Sequence, residues 1–139
     1  MTGMFMDVTS FKSDLSKWDV SSVASIKAVF RAANLFDRDI SKWDVSSVET
    51  MYCMFRDAKS FKGGLLKWNV SRVTNMAKLY FNADSFNGYI SEWDVSRVKT
   101  MASMFSGAES FGGDIATWKV GNVQTMYGCL LYTSPSPRD

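Results

Sequence analysis

The stretch Ile40-Ser41-Lys42-Trp43-Asp44-Val45-Ser46-Ser47-Val48-Glu49-Thr50-Met51-Tyr52-Cys53-Met54-Phe55-Arg56-Asp57-Ala58-Lys59-Ser60-Phe61 decides how this chain is read. Trp43 and Val45 alternate with Lys42, Asp44 and Ser46, the period of a strand with one face buried. After Val48 the rhythm changes. Met51, Met54, Phe55 and Ala58 follow at spacings of 3, 3, 1 and 3, which lie on one face of a helix. Ser46 stands where an N-cap belongs, and Glu49 follows three residues on, the pairing of a capping box. The stretch predicts a short strand followed by a short helix.

Stepping by 25 residues in either direction reproduces the stretch without a gap. Phe11, Phe36, Phe61, Phe86 and Phe111 share a column, as do Leu15, Ile40, Leu65, Ile90 and Ile115. Trp18, Trp43, Trp68, Trp93 and Trp118 form another and account for all 5 tryptophans. Val20 and Val23 each head a valine column, Met1 heads a mostly methionine column through Met51 and Met76, and Ala33, Ala58, Ala83 and Ala108 close the unit. A self-similar period of this length marks a repeat array, in which each unit buries its apolar side chains only against its neighbours. The spacing of Ile40, Trp43, Val45 and Val48 is that of the strand segment of a leucine-rich repeat. The predicted fold class is therefore an α/β repeat solenoid, leucine-rich-repeat-like, with one short parallel strand and one short helix per unit. Residues 1–127 hold about five units, the first and last partial.

Composition narrows the function classes. The chain has 139 residues, 46% of them hydrophobic, and a net charge of +2. That balance, mixed along the chain, gives no footprint for nucleic acid. No apolar run approaches the length of a membrane span. Met1 to Ser10 lacks a basic segment followed by an apolar one, so no signal peptide is read there. Met1 falls in the methionine column and reads as an internal residue of a longer protein. Cys53 and Cys129 stand three units apart, roughly 15 Å along a stack of strands. A disulfide needs its Cα atoms within about 7 Å, so two free thiols are expected.

Each chemically tempting feature has a plainer reading. A tryptophan column at an inward strand position is expected in the core; the alternative is an aromatic ladder for sugar rings. The methionine columns fill the core. Asp14, Asp39 and Asp114 suggest calcium, which needs six to eight oxygens, but Gly64 and Tyr89 interrupt that column. No metal or other cofactor is expected. Catalysis needs a singular cluster in a pocket. Here serine and aspartate recur in every unit and histidine is absent, so no enzyme is expected. The outward strand positions remain: Lys17, Asp19, Lys42, Asp44, Lys67, Asn69, Glu92 and Asp94, with Arg72 and Arg97 adjoining. They predict a charged interaction face with Lys–Asp pairs between units, each worth about 0–1 kcal/mol.

The recurring pattern Trp-Asp-Val-Ser-x-Val followed by Met-x-x-Met-Phe, as at Trp43–Val48 and Met51–Phe55, resembles the 25-residue unit of BspA-like leucine-rich-repeat surface proteins. Such units are common in mycoplasma lipoproteins and occur in some marine microbial eukaryotes. The resemblance covers Met1 to Tyr127. It departs at Asn69 and Lys119 in the aspartate column, at Leu66 and Ala116 in a serine column, and at Tyr80. It implies a cell-surface or extracellular segment for binding or adhesion, with a protein or glycan partner, and carries no catalytic residues to transfer; the alternatives are the carbohydrate-binding aromatic ladder and a purely structural spacer with no ligand. A stack without polar caps is also expected to associate end to end. Residues 128–139 leave the register. Pro135 and Pro137 forbid helix there, the ending resembles translated adaptor sequence, and disorder is expected.

Overall fold

The computed structural model describes residues 1–130. The 25-residue units stack in register, but the expected strand and helix are both missing. Among the described residues there is no helix, and strand pairing is reduced to isolated parallel bridges linking Ser25, Thr50, Asn75, Thr100 and Thr125 in succession. The α/β architecture with a strand and a helix in each unit is thereby overturned.

A chain of tight turns takes its place. In the segment read as a strand, the Trp43 amide donates to the Ile40 carbonyl at 3.1 Å and the Val48 amide to the Val45 carbonyl at 2.9 Å. In the segment read as a helix, the Met54, Arg56 and Ala58 amides donate to the carbonyls of Met51, Cys53 and Phe55 at 3.0–3.1 Å. Cys53 and Asp57, third residues of the turns Met51–Met54 and Phe55–Ala58, have φ of 57° and 59°, the sign that a type II turn requires. A helix tolerates no such residue, because every position needs negative φ.

The turns free alternate amides for the next unit. Met51, Cys53, Phe55 and Asp57 donate to the carbonyls of Asn75, Ala77, Leu79 and Phe81 at 2.8–3.1 Å. The amides between them are used inside the unit. A helix would spend nearly all its amides on itself and leave neighbouring units to pack by side chains alone. Here every interface also carries backbone hydrogen bonds, each worth about 1 kcal/mol net.

The core lies inside the coil and contains no buried polar or charged residue among those described. Two aromatic columns run through it. Within units, Phe30–Phe36, Phe55–Phe61 and Phe105–Phe111 stack at 4.0–4.1 Å between centroids. Between units, Phe30–Phe55 and Phe36–Phe61 stack at 5.7 and 6.0 Å. Tryptophan closes each unit onto the one before. The indole N–H groups of Trp43, Trp68, Trp93 and Trp118 donate to the carbonyls of Leu15, Ile40, Leu65 and Ile90 at 2.9–3.1 Å. Those four rings are at most 8% exposed, whereas Trp18 in the first unit is 42% exposed.

Hydrogen bonding between units runs past Tyr127, since the Cys129 carbonyl accepts from the Phe105 amide at 2.8 Å. Of the stretch expected to be a disordered tail, residues 131–139 lie outside the described residues. Cys53 and Cys129 are free and buried. Among the described residues no helix is long and apolar enough to cross a membrane.

Candidate functional site

All ten residues of the predicted face are exposed, from Lys17 and Asp19 through Lys42, Asp44, Lys67, Asn69, Arg72, Glu92, Asp94 and Arg97. They do not stand on a flat strand. Lys42 is the third residue of the turn Ile40–Trp43, and Lys17, Lys67 and Glu92 occupy the same corner in their units. Arg72 and Arg97 sit at the corner of the turns Val70–Val73 and Val95–Val98. The face is a ridge of turn corners, repeated once per unit.

Its expected Lys–Asp pairs are replaced by contacts within each unit. The Asp44 carboxylate accepts from the Ser46 amide at 3.0 Å and from its hydroxyl at 2.6 Å. Asp19 holds Ser21 in the same way, and the Asn69 amide oxygen does so for Ser71. The serine expected to cap a helix therefore pins a turn instead. These bonds, hydroxyl first and amide second, hold the Asp19 and Asp44 carboxyls below their ordinary range. Asp94 is lowered by Ser96 in the same order, and then by Lys119 and Arg97. In the loops, Asp14, Asp39 and Asp114 each accept from the amide two residues on, at 2.9 Å. Among the described residues no group of three or more histidine, cysteine, aspartate or glutamate side chains could hold a metal ion.

Ion pairing between units is sparse. Among the described residues it joins Arg72 to Glu49 at 3.0 Å and Lys59 to Asp84 at 3.3 Å. Glu49, expected in a capping box, is thus a partner of the next unit's arginine. Thr74 takes the equivalent place beside Arg97, and that arginine lines a shallow basic cleft with Lys99, Asn122 and Gln124.

The corners border three consecutive clefts. Lys42 and Lys67 line the first with Ser41, Gly64, Leu66 and Tyr89. Tyr89 also lines the second, of about 460 Å³, with Asn87, Ser91 and Asp114. Ser91 continues into a third, of about 380 Å³, with Glu92, Asp94 and Lys119. The structure thus brings Lys42 with Lys67, and Glu92 with Asp94. Sequence reasoning treated Tyr89 only as an interruption of the aspartate column. The signal was available: a bulky aromatic among Asp14, Asp39, Gly64 and Asp114, at a position where the other residues bend the chain locally or carry no side chain.

No curated protein and no solved structure matches this chain. Its sequence does match one family, described as a Mycoplasma protein of unknown function, DUF285, over residues 1–72 and again over residues 62–134. Together the two matches cover nearly the whole chain, and the protein belongs to the DUF285 family.

Proposed function

We propose that this chain is a non-catalytic interaction segment of a BspA-like surface protein, exposed outside the cell and binding a protein or glycan partner through its ridge of turn corners. One observation carries the reading. The stack is held mainly by its apolar core and by backbone hydrogen bonds between units, with Arg72–Glu49 and Lys59–Asp84 as the ion pairs between units among the described residues, while the corner side chains stay exposed in register. Repeat stacks bind through such extended surfaces. The aromatic-ladder version of the reading loses its rings, because Trp43, Trp68 and Trp93 are buried and bound to carbonyls through their indole N–H groups.

The test is adhesion of beads coated with the chain to matrix-coated surfaces or host cells. Lys17→Glu, Arg72→Glu and Arg97→Glu together should abolish adhesion and leave the circular dichroism spectrum unchanged. Equal adhesion by the variant would remove the ridge from the reading. Absence of the parent protein from the surface of intact cells, by antibody labelling, would remove the location. The exposed Trp18, Met4 and Met6 in the first unit and Met126 and Tyr127 in the last support end-to-end association of the 139-residue chain. Light scattering over a concentration series should then show masses above that of the monomer.

A further inference from the structure

The column Asp14, Asp39, Gly64, Tyr89, Asp114 contains one residue that can neither close a local turn nor vanish. Tyr89 is 76% exposed, the most exposed of the large hydrophobic side chains described. The Lys42–Lys67 cleft, of about 360 Å³, and the Asp114 cleft, of about 460 Å³, both reach it. Both volumes fall in the range of small-ligand sites, roughly 300–1,000 Å³. Gly64 keeps one flank open, since a Cβ there would meet nothing within 4 Å.

The surroundings select the ligand. A protein anchor needs an apolar, desolvated pocket around its aromatic, and here Leu66 is the apolar side chain beside the ring in the lysine cleft. In the second cleft the apolar Ile90 is itself buried, and the remaining neighbours are glycines and hydrogen-bonding groups. A pyranose ring fits such a place, with an apolar C–H face for the phenol and a rim of hydroxyls for Asn87, Ser91 and Asp114. The lysine cleft adds a charge requirement. Lys42 and Lys67 both line it, and neither is ion-paired within 4.0 Å among the described residues. Asp39 does feel Lys42, which helps lower its carboxyl after its bonds to Ser41, so Lys67 is the freer cation.

We propose that Tyr89, with the clefts on either side of it, binds an acidic pyranose: the sugar's C–H face on the phenol, its carboxylate toward Lys67 and Lys42. This rests on the partner-binding reading above and names the partner's chemistry.

The experiment is calorimetric titration of the full chain with a glucuronate-containing disaccharide and with its neutral glucose counterpart. We expect saturable binding of the acidic sugar, weaker binding of the neutral one, and a loss of about tenfold or more in affinity, about 1.4 kcal/mol, for Tyr89→Ala. Lys67→Gln should weaken the acidic sugar more than the neutral one. Tyr89 and Lys67 are exposed, so both variants should keep the parent circular dichroism spectrum. Equal binding by Tyr89→Ala, equal binding of the two sugars, or no saturable binding by the parent chain would overturn the proposal. The bead assay separates the two readings. Adhesion lost with the Lys17, Arg72 and Arg97 variant but no sugar bound would refute the sugar site alone.

Discussion

Replacing Tyr80 by phenylalanine should make the protein more stable. Tyr80 stands in the column of Phe5, Phe30, Phe55 and Phe105, and its ring does what theirs do. It stacks on Phe86 at 3.7 Å and lies between Phe55 and Phe105 at 5.5 and 5.7 Å. The side chain is fully buried, and its hydroxyl has no hydrogen-bond partner. An unsatisfied buried hydroxyl costs about 1–3 kcal/mol. Deleting one oxygen leaves a void that costs a few tenths of a kcal/mol, at about 24 cal/mol per Å³. The net gain for Tyr80→Phe is therefore about 1–2 kcal/mol. With a urea m-value of about 1–3 kcal/mol/M, the midpoint should rise by roughly 0.3–2 M with m unchanged. The reciprocal change, Phe55→Tyr, should lower it by a similar amount. Burial also holds the Tyr80 phenol protonated well above its ordinary value of 10.0. Its folded pKa is raised, so its contribution is fully present below pH 10 and declines as pH rises further, because only the unfolded phenol ionises there. Tyr80→Phe should remove that part of the alkaline loss. A midpoint unmoved or lowered by Tyr80→Phe would mean that the hydroxyl has a partner in solution, and the argument would fail.

Five further outcomes follow from named contacts. Acrylamide should quench a single red-shifted tryptophan component, and Trp18→Phe should abolish it, because Trp18 is 42% exposed while the other four are at most 8% exposed. The carboxyls of Asp14, Asp19, Asp39, Asp44 and Asp94 are held below 3.8 in the fold. Their stabilisation is thus present above that pH and lost as pH falls through the folded values. Asp44→Asn should flatten this acid limb in a pH series of urea midpoints, with little change at neutral pH, since Asn69 already holds Ser71 by the same two bonds. A thiol reagent at pH 8 should react slowly until denaturant is added, because Cys53 is 2% exposed and burial pushes the Cys129 thiol up to about 11. Ala32→Gly should raise the urea midpoint by relieving about 1 kcal/mol of left-handed strain at φ 57°. Gly107→Ala should lower it, since a Cβ there would collide with Asn82 Oδ1.

The columns themselves were legible because burial acts on side chains whatever the backbone does. Phe36, Phe61, Trp43, Trp68, Val48 and Met54 are buried as their periodicity demands, since one unit cannot hide them without its neighbours. The exposed corners from Lys17 to Arg97 were legible for the converse reason. Their partners were not. An aspartate followed two residues later by serine has two uses, a cross-unit pair with lysine or a local bond to the serine, and the local bond fixes fewer rotors. Asp44 with Ser46 takes it. The pair of clefts at Tyr89 was illegible because they belong to the stacking of successive units, which no single unit's sequence displays.

The missed helix has a sharper cause. Apolar residues three apart share a face in a helix, and they also share a side in a run of β-turns, where each turn closes from its fourth residue back to its first. Val45 to Val48, Met51 to Met54, Phe55 to Ala58 and Ala58 to Phe61 are all such pairs, each closed by an amide-to-carbonyl bond of 2.9–3.4 Å. Spacing alone cannot separate the two backbones, but the residues between the apolar ones can. The column of Asp7, Ala32, Asp57, Asn82 and Gly107 has φ of 54–73° throughout. Four of those five are Asp, Asn or Gly, the types that enter the left-handed region at least cost. Glycine also occurs twice in the other left-handed column, as Gly3 and Gly128. A helix reading places these poor helix formers at interior positions in four of those five units and gives no reason for them. A turn reading needs them there. A period that returns Asp, Asn or Gly to one place between apolar residues three apart therefore argues for turns over helix.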